Sequence, residues 1–257
     1  SKSPEVIDQY DIEFKDVSFK YHDHSEEVLT DLSFKIKQGD RVGIIGGTGA
    51  GKSSLVQLIP RLYDVSSGEV LIGGRNVKEV SLHELRDKIG VVLQESILFS
   101  GTIESNIKFG YHDATDEELD QAARDAQAME FIQLKESGYQ TEVEQRGKNL
   151  SGGQKQRVSI ARTLIRKPKI LILDDSSSAL DMATERQLQE AIKEQMTGST
   201  VIMIAQRISA VMDADQIIVL DQGHISGIGT HEELLKTNEI YRSIAISQLG
   251  EEAVHHG

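Results

Sequence analysis

Residues 46–53 of this 257-residue chain read Gly46-Gly47-Thr48-Gly49-Ala50-Gly51-Lys52-Ser53. They fit the pattern G-x-x-x-x-G-K-[ST] and follow an apolar run, residues 41–45, that predicts a buried strand. Glycines let the backbone curl without Cβ clashes, so that successive N–H groups can point inward at an anion. This stretch, called the phosphate loop below, therefore predicts a binding site for a nucleoside triphosphate.

The two residues that end the phosphate loop have separate chemical roles. We expect Lys52 to reach the β- and γ-phosphates and Ser53 to ligate Mg²⁺, while the helix that opens at Gly51 adds its positive dipole end. Ser54 is included in the predicted nucleotide site. The alternative is a glycine-rich turn that binds nothing, and eight matching positions between a strand and a helix make it the weaker interpretation.

Composition excludes several classes of protein. Hydrophobic residues make up 38% of the chain, enough for one large domain or two small ones. The chain has no cysteine, which excludes disulfides and thiolate metal sites. A net charge of −13 argues against a nucleic-acid partner, because such binding depends on clustered Lys and Arg. No apolar run approaches the length of a membrane span, and residues 1–10 lack the pattern of a signal peptide.

Hydrophobic patterns predict an α/β fold with two additions to a phosphate-loop core. Residues 12–19, with one slip, and 32–36 alternate apolar and polar side chains, which predicts an N-terminal antiparallel β subdomain. Residues 115–135 repeat apolar side chains at helical spacing, and we expect no strand between them and the helix that begins near Ser151. Strand patterns alternate with helices after residue 170, which predicts a mostly parallel sheet.

The predicted boundaries follow from these patterns. They are an N-terminal segment at 1–10, the first part of the nucleotide-binding core at 11–94, an inserted α-helical subdomain at 95–165, the second part of the core at 166–250 and a tail at 251–257. Two helix starts carry the capping-box form, at Ser81 and Thr115, and Thr230, three residues before Glu233, is predicted to cap a later helix.

Two further motifs lie in the second half of the chain. Residues 170–173 are apolar and end in Asp174, and beside a phosphate loop such a carboxylate holds Mg²⁺. Another motif reads Leu150-Ser151-Gly152-Gly153-Gln154. It would present a hydroxyl, backbone N–H groups and a helix dipole to a second anion, which suggests one ATP held between two protomers. The alternative for Ser151 is an ordinary helix cap.

With these motifs the chain resembles, over nearly its whole length, the nucleotide-binding domain of ATP-binding cassette (ABC) transporters. The phosphate loop resembles the Walker A motif, residues 170–174 resemble Walker B, and residues 150–154 resemble the signature motif. Tyr21 stands where the family has an aromatic that stacks on adenine, and Gln94 resembles the Q-loop residue that touches Mg²⁺ and the attacking water. Four residues resemble the D-loop, namely Ser178, Ala179, Leu180 and Asp181.

Residues 97–103 and the pair Asn106-Ile107 resemble exporters whose membrane and ATPase domains share one polypeptide. The resemblance implies that residues 1–10 link to a transmembrane domain and that the chain is a piece of a longer half-transporter. It also implies ATP and Mg²⁺ as cofactors, a second nucleotide-binding domain as partner, and a place at the cytoplasmic face of the cell membrane.

Two positions depart from the family, and both are catalytic. Asp175 replaces the Glu that acts as general base, and its carboxylate is one methylene shorter. Gln206 replaces the His that contacts the γ-phosphate, and an amide carries no positive charge. These changes predict slow hydrolysis at a site that binds ATP. Because the signature is intact, we expect a heterodimeric exporter in which this chain completes a competent site on its partner.

Other functions remain open at this point. Asp175 could suffice as base in a homodimeric exporter, or the chain could be a nucleotide-gated interaction module with little hydrolysis. ATPases of DNA maintenance or of ribosomes share the cassette, but they need a basic surface or a long coiled-coil insertion. The acidic charge and the roughly 55 residues between Gln94 and the signature argue against them.

Overall fold

A computed structural model describes residues 7–175 and 178–255, and it has the predicted α/β fold. The chain divides into two compact units, one made of residues up to 89 together with those from 198 onward, the other of residues 90–197. Residues 1–6 of the predicted linker and 256–257 of the predicted tail lie outside the described residues. The finer boundaries proposed from sequence stay predictions.

The strands are short, as is usual in α/β proteins. They are β1 (Ile12–Phe19), β2 (Leu29–Ile36), β3 (Arg41–Gly46), β4 (Ser67–Ile72), β5 (Arg75–Asn76), β6 (Ile89–Val92), β7 (Gly101–Thr102), β8 (Glu142–Val143), β9 (Ile170–Asp174), β10 (Thr200–Ile204), β11 (Gln216–Asp221) and β12 (His224–Gly229).

The α-helices include two long ones in the second unit. They are α1 (Lys52–Gln57), α2 (Leu82–Asp87), α3 (Ile103–Ile107), α4 (Asp116–Asp125), α5 (Met129–Leu134), α6 (Gly152–Leu164), α7 (Met182–Gln195), α8 (His231–Thr237), α9 (Glu239–Leu249) and α10 (Glu251–His255).

The first unit contains an antiparallel sheet in the order β2-β1-β4-β5. Strand β1 buries Ile12 and Phe14, then shifts register before Val17. Asp16 lies in that shift with φ 49°, and its N–H donates to the Ser33 hydroxyl at 2.9 Å. The slip in the alternating pattern is thus a β-bulge, which keeps Val17 on the buried side.

The first unit also contains strands in the order β12-β11-β3-β10. Strands β10 and β11 flank β3 in parallel, and β12 is antiparallel to β11. Every residue of β10 is buried, as expected for a central parallel strand with both faces covered. Because β3 lies between two strands, the phosphate loop leaves from the middle of this sheet.

The second unit is mostly helical. Helix α6 packs against α3 and α4, and β9 neighbours β6. One expectation was wrong here: β8 does separate the 115–135 segment from α6, and it pairs with β7 through Gly101↔Val143. Two residues are too few to produce an alternating pattern, so the sequence carries no signal for this strand.

The predicted helix caps have different outcomes. At Thr115 both halves of the box with Glu118 are present, and at Thr230 the side chain accepts from the Glu233 N–H. At Ser81 only the hydroxyl bond to the Glu84 N–H forms. The Glu84 carboxylate instead accepts the backbone N–H of Ile7 at 2.7 Å. The prediction of a capping box at Ser81 was therefore wrong, because a donor distant in sequence bonds the carboxylate that would have completed the box. Within the described residues, no helix is both long and apolar enough to span a bilayer.

Candidate nucleotide site

The phosphate loop connects β3 to α1 in the first unit. Gly49 and Gly51 have φ values of 77° and 100°, a region where side chains are disfavoured. A Cβ on Gly46 would lie 2.5 Å from the Leu220 carbonyl oxygen, while a Cβ on Gly47 would meet nothing within 4 Å. The loop therefore needs glycine for conformation at two positions and for close packing on β11 at a third.

The loop is held from inside its own unit. The Ala50 N–H donates to the Gly47 carbonyl at 3.1 Å, and the Ala50 carbonyl accepts the Gly223 N–H at 3.0 Å. The Lys52 ammonium donates to the Gly46 carbonyl at 2.6 Å, which curls its side chain back over the loop. A cation held over a glycine-rich loop at the start of a helix is an arrangement suited to binding a polyphosphate.

Tyr21 lies beside the phosphate loop. Its hydroxyl is 2.6 Å from the Ser54 hydroxyl on α1, and its side chain is 42% exposed. The ring meets Phe19 and Tyr63 edge-on, with centroids 4.8 and 5.1 Å away. An aromatic held by its neighbours and half open to solvent can offer a face to a base. Ser54 is thus hydrogen-bonded to Tyr21, the residue predicted to stack on adenine.

Gln206 lies in the first unit, directly after β10 and Ala205, on an exposed segment. Its backbone carbonyl accepts the Gln248 side-chain amide at 2.7 Å, and the Gln248 side-chain oxygen accepts the Ile208 N–H at 2.7 Å. The C-terminal part of α9 therefore brackets this segment. Sequence reasoning missed Gln248, because nothing in its local pattern connects it to a loop 40 residues earlier.

Asp174 and Asp175 lie at the end of β9 in the second unit. Asp174 is the last strand residue and only 7% exposed. Asp175 has φ 47°, a left-handed conformation that short polar side chains tolerate best. The turn fixes where the Asp175 carboxylate starts, and its single methylene fixes how far it extends.

The signature residues begin α6. The Ser151 hydroxyl accepts the Gln154 N–H at 3.1 Å, and the Gln154 side chain accepts the Ser151 N–H at 3.1 Å, a complete capping box. Leu150 is buried, whereas Ser151 and Gly152 are exposed. A Cβ on Gly153 would come within 3.1 Å of the Ala179 carbonyl, so this glycine lets the D-loop lie against α6.

Gln94 is exposed just beyond β6, and Asp181 caps α7 by accepting the Thr184 N–H at 2.8 Å. Hydrogen bonds from Thr184 lower the pKa of the Asp181 carboxyl, which stays ionised at the helix start. A residue that sequence reasoning missed connects these loops. The buried Gln156 side chain donates to the Gln94 carbonyl and accepts the Ala179 N–H, both at 3.2 Å.

Each unit thus holds a separate part of the predicted site. The first unit has Tyr21, the phosphate loop with Ser54, and Gln206; the second has Gln94, Asp174, Asp175, the signature and the D-loop. The predicted Mg²⁺ ligands are a hydroxyl, an amide oxygen and a carboxylate, at Ser53, Gln94 and Asp174. Oxygen donors of this kind fit Mg²⁺, which prefers hard ligands and keeps several waters.

A family model described as ABC transporter matches residues 29–178, a range that includes the phosphate loop, the signature and β9. The chain belongs to the ABC transporter family. This ABC domain is also similar to curated bacterial proteins. It is 46% identical over 233 residues to YgaD of Bacillus subtilis strain 168, whose name assigns it to multidrug export as an ATP-binding/permease protein.

A Staphylococcus aureus strain Mu50 protein of the same kind of name, SAV1866, is 45% identical over 241 residues. These matches cover 91% and 94% of this chain but only 40% and 42% of the relatives, so the chain spans about two-fifths of their length. A bacterial Atm1-family ABC exporter solved with ATP bound superposes with a TM-score of 0.92 at 41% identity, covering 97% of this chain and 44% of that one. The chain is an ATP-binding domain of the exporter type.

Proposed function

We propose that this domain is the ATPase unit of a membrane exporter and that its own Walker residues hydrolyse ATP slowly. One observation carries the proposal: the two positions that depart from the family, Asp175 and Gln206, stand beside motifs that are otherwise complete. ATP would bind the phosphate loop of one protomer and the signature of a second ABC domain. Closure of the pair would drive export, and hydrolysis would reopen it.

The proposed roles follow the chemistry of each residue. Tyr21 stacks on adenine, Lys52 and the phosphate-loop amides hold the phosphates, and Gln94 orients the attacking water. Mg²⁺, which Ser53, Gln94 and Asp174 would hold, would supply neutralisation of the phosphate charge when bound. The Asp175 carboxylate, which lies one methylene back from the usual position, accepts the proton of the water. Gln206 donates a hydrogen bond in place of a charged one, which stabilises the developing charge less.

We propose a heterodimer because the signature is intact. Ser151 caps α6 and leaves Gly152 exposed, so the surface offered to a partner's ATP is well formed. In a homodimer both composite sites would contain Asp175 and Gln206. Beside a partner with Glu and His at these positions, this chain would complete one fast site and contribute one slow site. A homodimeric exporter and a nucleotide-gated module with little turnover are the competing functions.

The proposed membrane partner is a transmembrane domain of the same polypeptide, as the names of the relatives indicate. Two exposed rings support a docking surface on the second unit: Phe99 and Phe109 lie 4.8 Å apart, with 46% and 51% of their surfaces exposed. The Asn106 side chain fixes Phe99 by bonding both its N–H and its carbonyl. Exposed aromatics on a fixed backbone are typical of interfaces. The cargo would be amphipathic compounds, and the domain would face the cytoplasm.

The test uses two forms of this chain. One is the native chain; the other is Asp175→Glu/Gln206→His/Ser151→Arg, which restores the Walker residues and blocks the signature. Steady-state Mg-ATP turnover is measured for each alone and for mixtures, with Lys52→Ala as the blank. The proposal expects turnover in the mixture well above the sum of the two alone, because only mixed pairs combine a restored Walker site with an intact signature. A mixture equal to that sum contradicts it.

A further inference from the structure

Gln156 is a buried polar side chain that no motif of the proposed mechanism uses. It lies on α6, two residues beyond the signature, and is 4% exposed. A buried amide must find partners for its donor and acceptor, and their loss is costly. Gln156 finds both partners outside its own helix, one on each of two loops.

The donor side of Gln156 faces the Gln94 loop. Its Nε2 donates to the Gln94 carbonyl at 3.2 Å, across 62 residues of sequence. That carbonyl belongs to the backbone that carries the exposed Gln94 side chain. A shift of this backbone by a fraction of the bond length would break the hydrogen bond, so the position of Gln94 depends on Gln156.

The acceptor side of Gln156 faces the D-loop. Its Oε1 accepts the Ala179 N–H at 3.2 Å. The same loop approaches the first turn of α6 at Gly153, where a Cβ would lie 3.1 Å from the Ala179 carbonyl. The backbone of Ala179 is therefore hydrogen-bonded to α6 through its N–H, and its carbonyl lies close against the first turn of α6.

The helix that carries Gln156 is anchored, so it can serve as a reference for both loops. The Arg157 guanidinium donates to the Gly153 carbonyl at 3.2 Å and to the Gln127 carbonyl at 3.1 Å. It also lies over the Phe131 ring, 4.9 Å from the centroid. Because α6 is fixed at this turn, a displacement of one loop either moves the Gln156 side chain and the other loop with it or breaks one of the two hydrogen bonds of that side chain.

We propose that Gln156 is a positioning residue that couples the Gln94 loop to the D-loop, so that displacement of one loop is transmitted to the other. The inference rests on the proposed function for its biological meaning, since it links the loop that would contact this chain's own ATP to the D-loop, which lies against the signature proposed to bind ATP with a second ABC domain. The physical coupling itself needs no hydrolysis. It can therefore be tested even if the catalytic proposal fails.

The test is amide hydrogen exchange at Ala179, resolved by NMR. Gln156→Met keeps the length and volume of the side chain and removes both hydrogen bonds. We expect Ala179 exchange to become about five-fold faster, the order of magnitude for one net hydrogen bond. The control is Thr163→Val, which also keeps volume on α6 and removes a hydroxyl bond within the helix, to the Ser159 carbonyl. It should leave Ala179 exchange unchanged.

Coupling is tested by loosening one loop and observing the other. Gln94→Gly increases the backbone freedom of the Gln94 loop, and we expect it to speed Ala179 exchange in the native background. In the Gln156→Met background the same change should add nothing. Equal effects of Gln94→Gly in both backgrounds, or none in the native chain, would overturn the proposal. So would native-like Ala179 exchange in Gln156→Met.

Two enzymatic readouts separate this inference from the proposed function. In the Asp175→Glu/Gln206→His background, where turnover is expected to be restored, Gln156→Met should lower kcat about ten-fold while the ATP dissociation constant stays within two-fold, because the phosphate loop is left intact. Coupled exchange without a gain of turnover in Asp175→Glu/Gln206→His would leave the coupling standing and favour the nucleotide-gated module. Turnover that obeys the catalytic proposal without coupled exchange would overturn the coupling alone.

Discussion

The Gln248 side chain is bonded to the backbone on both sides of Arg207, donating to the Gln206 carbonyl and accepting the Ile208 N–H, each at 2.7 Å. Gln206 is the residue proposed to replace the family's histidine. Helix α9 therefore positions the loop proposed to be catalytic from outside every recognised motif. Such a contact makes the loop sensitive to the C-terminal helices.

The first prediction concerns this bracket. Gln248→Met should speed amide exchange at Ile208 about five-fold, because the variant keeps side-chain volume and removes the acceptor of that N–H. The neighbouring Ser247 is also exposed on α9, so Ser247→Ala is the matched control and should have no effect. Unchanged exchange at Ile208 in the methionine variant would show that water replaces Gln248 without loss.

The second prediction separates the ring of Tyr21 from its hydroxyl. Tyr21→Ala should weaken ATP binding about ten-fold, since stacking of a base on an aromatic contributes roughly 1–3 kcal/mol. Tyr21→Phe should stay within about two-fold of native, because it keeps the ring and loses only the bond to Ser54. Calorimetric titration with ATP measures both. Equal weakening by the two variants would mean that the hydroxyl, not the ring, is the contact.

The third prediction uses two adjacent glycines as a matched pair. Gly46→Ala should lower the free energy of unfolding by about 2 kcal/mol, because its Cβ would meet the Leu220 carbonyl oxygen at 2.5 Å. Gly47→Ala should change it by less than about 0.5 kcal/mol, because its Cβ enters open space. Urea unfolding checks both values. Similar costs at the two positions would contradict the packing described for β11.

The fourth prediction is a pH dependence that arises at His231. Its Nδ1 lies 2.5 Å from the hydroxyl of the buried Tyr241, and burial lowers the pKa of His231 against the opposing effect of Glu232 and Asp213. Burial raises the pKa of Tyr241 to about 12, so its hydroxyl stays protonated and can donate to the neutral imidazole. The unfolded state then binds more protons than the folded state as pH falls below the usual histidine pKa.

The stabilisation linked to His231 should therefore be complete above the ordinary pKa of 6.5 and be lost as pH falls through it toward the lowered folded value. His231→Gln removes the titration. The difference in free energy of unfolding, native minus variant, should be larger at about pH 7.5 than at about pH 5.5. A difference that grows on acidification would refute this assignment of the pKa.

Local sequence patterns accounted for the elements that bury one regular face. Strand β1 and helices α4 and α5 lie where periodicity placed them, and even the slip in β1 has a physical counterpart in the bulge at Asp16. The phosphate loop was readable because its glycines serve a local conformational need. These features depend on neighbours in sequence, which is why sequence alone predicted them.

The misses have a different origin, since each depends on a partner far away in sequence. Strand β8 forms by pairing with β7, and the Glu84 carboxylate accepts the Ile7 N–H instead of completing a capping box with Ser81. Gln156 and Gln248 reach loops 62 and 40 residues away with ordinary side-chain amides. A glutamine carries no sequence signal for such a role, because the same residue is common on solvated helix faces.

Slow hydrolysis at this chain's own Walker residues is tested by steady-state Mg-ATP turnover of the native chain beside Asp175→Glu/Gln206→His, with ATP binding verified for both and Lys52→Ala as the blank. We expect native turnover near the blank and a gain on the order of a hundred-fold in the double variant, because a general base and a charge-stabilising donor are restored. Robust native turnover that the double variant does not increase would contradict that expectation.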